Sequence, residues 1–109
     1  MIEEMKDLIM TNADEQAWLP ELLGEYLSSH RGISREDAIS ILSAAIMELA
    51  TSGMVGVCAH RVGVEDSYRD LSIEETSATL NCNSHWAYGK VTDEVYSLFG
   101  KKTANQDHF

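Results

Sequence analysis

Apolar residues in the first half of the chain recur at spacings of three and four, the period of an amphipathic helix, whereas after Gly53 they alternate at a spacing of two. Three helices are therefore expected before the first strand. Ile2, Met5, Leu8 and Ile9 form one stripe, which predicts a short helix over residues 2–10. The side chains of Thr11, Asn12 and Asp14 compete with the backbone for hydrogen bonds, so these residues are expected to end that helix and open the next. Pro20 suits a first helical turn, Leu22, Leu23, Tyr26 and Leu27 supply the stripe, and Trp18 and Leu19 lead into it as an anchor. This second helix is expected to stop near His30, with Gly32 in a left-handed conformation beyond it.

Ser34 followed by Asp37 resembles a capping box and predicts the longest helix, over residues 35–52. Its stripe is Ala38, Ile41, Leu42, Ala45, Ile46 and Leu49, and Gly53 closes it. The run 54–62 reads as a strand in which Gly56 marks a bulge or a close backbone approach. After the polar stretch 63–70, Ser72 and Glu75 make a second capping box for a short helix through about Leu80. A loop over residues 81–84 leads to a return strand over 85–91, with Trp86 and Tyr88 on one face and Ala87 and Gly89 on the other. Thr92 is then expected to cap a last helix bearing Val95, Leu98 and Phe99, flanked by Asp93 and Glu94 and by Lys101 and Lys102. The fold class is thus α+β, mainly helical, with a small antiparallel hairpin whose connection carries a short helix. Residues 1–102 are expected to make one domain and 103–109 a mobile tail.

Lysine and arginine number 8 against 18 aspartates and glutamates, a formal net charge of −10. That balance argues against nucleic acid as a partner, because polyanion binders depend on cations that displace phosphate counterions. A cationic partner is the complementary expectation. The longest apolar stretch falls well short of the roughly 20 residues that span a bilayer. Glu3, Glu4 and Asp7 are the wrong charge for the basic start of a secretory signal, so a cytoplasmic location without membrane partners is expected. Cys58 and Cys82 are read as buried free thiols.

The passage from Ser34 through Ala38, continuing to Glu48 and on through Gly53 and Val55, resembles the entry from recognition helix to first wing strand in the winged-helix superfamily. Residues 86–96 resemble the second wing strand entering a C-terminal helix. Winged-helix proteins read DNA with an exposed helix and a basic wing, but here Arg35 stands against Glu36, Asp37 and Glu48, and the wing is acidic. Small acidic proteins of this plan resemble bacterial immunity proteins and antitoxins, including those of contact-dependent growth-inhibition systems. The resemblance implies stoichiometric neutralisation of a basic protein toxin, a nuclease, by covering its active site or substrate groove. A dimerising winged-helix regulator and an acidic interaction adaptor remain alternatives.

Adjacent acids occur at 3–4, 14–15, 36–37, 65–66, 74–75 and 93–94, and four of these doublets fall at expected helix starts, where the dipole favours them. Glu65, Asp66 and Asp70 have no such reason. With Glu74 and Glu75 and the interposed Tyr68, they form the expected partner-binding segment, since tyrosine is favoured in interfaces. Cys58 with His60 and Cys82 with His85 match structural zinc spacing poorly, and no metal is expected. No P-loop, G-x-S-x-G, dinucleotide fingerprint or H-E-x-x-H occurs, so neither cofactor nor catalytic residues are expected. Trp18, Tyr26, Trp86, Tyr88, Tyr96 and Phe99 are assigned to the core or its edge.

Overall fold

The computed structural model describes residues 3–65, 67–87 and 94–101. In chain order these form α1 (Glu3–Asp14), α2 (Leu19–Ser29), α3 (Arg35–Thr51), β1 (Val55–Arg61), β2 (Arg69–Asp70), α4 (Ile73–Leu80), a 3-10 turn (Asn83–Trp86) and β3 (Glu94–Gly100). The architecture is α+β, mainly helical, with a three-stranded antiparallel sheet ordered β2-β1-β3.

Helix boundaries follow their caps, with one exception. The Ser34 hydroxyl accepts from Asp37 N at 3.1 Å and Gly53 has φ +78°, so α3 begins and ends where its sequence directs. Pro20 sits in the first turn of α2, whose entry is fixed by the Glu21 carboxylate accepting from Trp18 N at 2.8 Å. At the start of α4, Ser72 and Glu75 form a full capping box. The exception is α1, which does not stop at residue 10. Asn12 is buried inside it and donates Nδ2 to Leu8 O at 2.9 Å and to the Glu25 carboxylate at 3.0 Å, so the amide that would have capped a helix instead ties α1 to α2. The helix ends in a Schellman motif, with Gln16 N bonded to Ala13 O and Ala17 N to Asn12 O.

The stripe of α3 also shifts slightly. Ile39 is buried, whereas Ile41 is 40 % exposed. At roughly 100° per residue, Ile39 and Ala50 widen the stripe on one side and Ile41 falls off the other.

The largest departure is at the C-terminal end. Residues 94–100 form a strand, not a helix, and all seven pair with β1 in the register Val55↔Gly100 to Arg61↔Glu94. Val95, Leu98 and Phe99 fit a helical spacing, but Tyr96 and Leu98 also alternate with Val95, Ser97 and Phe99, and seven residues make a full strand and fewer than two helical turns. A strand lets β1 complete its backbone hydrogen bonds on this side. The return strand expected over 85–91 is not seen in its described part: residues 85 and 86 belong to the 3-10 turn, and Trp86 is buried with Nε1 donating to Leu80 O at 2.9 Å. Its remainder, together with Thr92, Asp93, Lys102 and the tail 103–109, lies outside the described residues. The connection between the paired strands β1 and β3 does carry a short helix, α4, and it also carries β2, which the pattern did not foretell.

The core lies between the helices and one face of the sheet. Val55, Val57, Ala59 and Leu98 are fully buried there with Ile9, Leu19, Leu22, Leu42 and Ile46. Among the described residues no helix is long and apolar enough to cross a membrane.

Candidate functional site

Side chains alternate across β1, so Gly56, Cys58 and His60 turn to the face opposite the core. Directly paired residues share a face. The register therefore sets Asp70 and Ser97 beside Cys58, Phe99 beside Gly56 and Val95 beside His60. A single bridge between Trp18 and Ser97 adds Trp18, 44 % exposed, to the same row. Gly56 leaves room for this arrangement: a Cβ built there would lie 2.5 Å from Phe99 Cζ, so the ring would have to shift, and the position is a close approach rather than a bulge. Phe99 thus belongs to the outer face of the sheet and not to the core. Lys101 reaches over its ring, with Nζ 5.9 Å from the centroid.

The acidic segment lies at the β2 edge of this face. Tyr68 is 64 % exposed, yet it is held in place by stacking on His60 with ring centroids 4.4 Å apart. His60 Nδ1 is 3.0 Å from Ser67 Oγ, which also accepts from Arg61 N at 2.9 Å and approaches Val64 O at 2.9 Å. One hydroxyl so closes the turn that presents Tyr68. Glu65, Asp70 and Glu74 are exposed, and Asp66 lies outside the described residues.

Glu75 is exposed but engaged. Its carboxylate accepts from Ser72 N at 2.9 Å and from Arg69 Nη1 at 2.8 Å. Those two partners, Ser72 first, hold its carboxyl below the ordinary range, and Arg69 is correspondingly raised by the hydrogen bond and charge of Glu75. Of the expected segment, the structure brings Tyr68 and Asp70 together on the outer face, leaves Glu65 at the turn, and places Glu74 and Glu75 on α4. The doublet 14–15 closes α1 instead of opening α2, and Glu94 lies in β3, so the dipole explanation serves only the doublets at 3–4, 36–37 and 74–75.

The cysteines and histidines make separate contacts. Cys58 is buried with Sγ 3.1 Å from Ser97 Oγ, while Cys82 is half-buried, contrary to expectation, with Sγ 3.2 Å from Ser84 Oγ. The Ser84 hydroxyl lowers the Cys82 thiol below its usual range, helped by the backbone N–H groups of Ser84 and His85. His85 bonds Thr79 O at 2.9 Å and packs against Tyr96, whose phenol is raised by burial and then by the neighbouring Glu94 charge. Among the described residues no group of three or more His, Cys, Asp or Glu side chains is placed to hold a metal ion.

A depression of about 390 Å³ opens on the outer face, lined by Gln16, Cys58, Tyr68, Asp70 and Phe99. Sequence reasoning found Tyr68 and Asp70 but missed Gln16 and Phe99. The signal for Phe99 was present in the alternation of Val95, Ser97 and Phe99; the signal for Gln16 was not, because its place depends on how α1 ends. Gln16 is the one non-glycine residue with positive φ, +55°, among the described residues. Comparison of the chain with protein-family models, with curated proteins and with solved structures finds no match.

Proposed function

We propose that this chain is a binding protein of the immunity or antitoxin kind, which neutralises a cationic protein, a nuclease toxin, by occluding its active site or substrate groove. The observation that carries the reading is Tyr68: a large aromatic ring, mostly in solvent, held by stacking on His60 and sharing one depression with the exposed Asp70, on a chain whose Glu65 and Glu74 are exposed as well. An aromatic anchor held beside an exposed carboxylate suits a basic partner, since the anchor supplies buried area and the charge steers encounter. The net charge of −10 adds long-range attraction toward any such partner.

A winged-helix-like plan is part of the proposal. It is supported by α2 and α3 leading directly into β1, by β3 returning antiparallel along all of β1, and by the bridge from the α1–α2 turn to β3. The DNA-reading use of such a plan is disfavoured by the first turn of α3, where Glu36 and Asp37 are exposed and the Arg35 guanidinium approaches Asn83 O at 3.4 Å.

The test is co-expression with the polypeptide encoded by the adjacent reading frame, followed by purification of the complex and assay of that polypeptide's nuclease activity with and without this chain. A stoichiometric complex with suppressed activity is expected. Reversing charge in Glu65→Lys with Glu74→Lys should slow association by about tenfold at low salt, with an unchanged circular dichroism spectrum. Wild-type association kinetics in that variant would remove the acidic segment from the interface. Tight binding to a DNA duplex at physiological salt, without a protein partner, would overturn the reading.

A further inference from the structure

We propose that the depression between Tyr68, Asp70 and Phe99 on the outer face of the sheet receives a single arginine side chain, delivered by the cationic partner. The source of the arginine rests on the function proposed above, and its chemistry rests on three features of the face. The residues lining the depression are the aromatic Tyr68 and Phe99, the thiol-bearing Cys58, and the polar Asp70 and Gln16. At about 390 Å³ the depression is as large as the smaller clefts that take organic ligands, roughly 300–1,000 Å³. A planar cation that stacks on rings and pairs with a carboxylate through two parallel N–H groups matches that set, and guanidinium is the side chain with those properties.

The polar groups are unspent. Neither the Asp70 carboxylate nor the Gln16 amide is engaged by another side chain among the described residues, although the neighbouring Arg69 and Glu75 satisfy each other. Lys101 holds its ammonium 5.9 Å from the centre of the Phe99 ring, a contact that an incoming guanidinium would displace.

The backbone supplies an independent reason. Gln16 occupies the left-handed position of the Schellman motif that ends α1, the position where glycine fits best. A glutamine there is held in a conformation that L-residues avoid, and its side chain lines the depression. The Schellman hydrogen bonds hold that conformation, and it sets where the glutamine side chain begins. An amide oxygen beside the carboxylate adds an acceptor for the remaining guanidinium N–H groups.

The experiment titrates the whole ¹⁵N-labelled chain with the peptide acetyl-Gly-Arg-Gly-amide, and in parallel with its lysine and citrulline counterparts. Saturable shifts at the amides of Gln16, Cys58, Tyr68, Asp70 and Phe99 are expected with arginine and none with citrulline. The lysine peptide should bind several-fold more weakly. Asp70→Asn should weaken the arginine peptide by about tenfold or more, the loss of one charge-assisted pair. Gln16→Gly, which removes the amide while relaxing the backbone, should weaken binding as its stability rises, separating recognition from folding. Equal, non-saturating shifts from lysine and arginine spread over distant acids such as Glu3 and Glu36 would overturn the pocket and leave only diffuse attraction.

In the co-expressed complex, wild-type affinity of Asp70→Asn for the cationic partner would likewise overturn the pocket while leaving neutralisation intact. Failure of the wild-type chain to neutralise its partner would instead sink the proposed function, and the peptide titration would still decide the pocket.

Discussion

Val57 and Cys58 are consecutive on β1, and their surroundings differ in kind. Val57 is fully buried opposite Leu98, within an apolar layer that α1, α2 and α3 complete. Cys58 sits between Asp70 and Ser97 on the face where the described neighbours are a hydroxyl, a carboxylate, two aromatic rings and the end of α1. One face therefore holds the sheet in the molecule, and the other carries polar and aromatic side chains. The pleat makes that division possible, because successive side chains cannot share a face and one strand can serve a core and a surface at once.

Substitution should expose the difference most strongly on the inner face. Leu98→Ala should cost about 2–5 kcal/mol of unfolding free energy, a large share of what a domain this size possesses, read from a urea transition. Its outer neighbour Ser97→Ala should cost well under half as much.

Gly56→Ala tests how tightly the outer face is built. The added methyl would meet Phe99 Cζ at 2.5 Å and Lys101 Cε at 2.8 Å. Both are the far ends of side chains, so the ring should swing aside at a cost of about 1–2 kcal/mol, with altered ring resonances for Phe99.

Gln16→Gly should have the opposite sign, raising stability by about 0.5–1 kcal/mol as the left-handed strain is released. A thermal midpoint that falls instead would show that the glutamine side chain contributes to folding.

The smallest effect is expected at Glu75. Its folded-state carboxyl lies below the ordinary range, so the folded chain takes up that proton at lower pH than the unfolded chain. The stabilising contribution is complete above the ordinary carboxylate value of about 4.3 and is lost as pH falls through the lowered one. The stability difference between wild type and Glu75→Gln should therefore be constant above about pH 6 and should shrink as pH falls below the ordinary carboxylate value, as followed by urea transitions.

Local signals carried much of the architecture. Ser34 and Gly53 bound α3, Pro20 opens α2, and Ser72 with Glu75 opens α4, because each acts on backbone groups a few residues away. Asn12 misled for a related reason: an amide that caps in isolation was drawn into α1 by a partner in α2, and Glu25 is 13 residues distant. The site was half legible. Tyr68 and Asp70 stood out as an aromatic within a run of acids, whereas Gln16 and Phe99 reach the same depression from the end of α1 and from β3.

Residue order alone was enough for the starts of α2, α3 and α4, for the β1 strand, and for the acidic balance of the chain. All of these depend on neighbours along the chain or on composition. The strand at residues 94–100 was settled by long-range pairing. Over seven residues the helical and alternating patterns both fit, and β1 resolved the choice by offering a complete row of backbone partners. The same pairing carried Phe99 out of the core and onto the open face, where it meets Tyr68, Asp70 and Gln16.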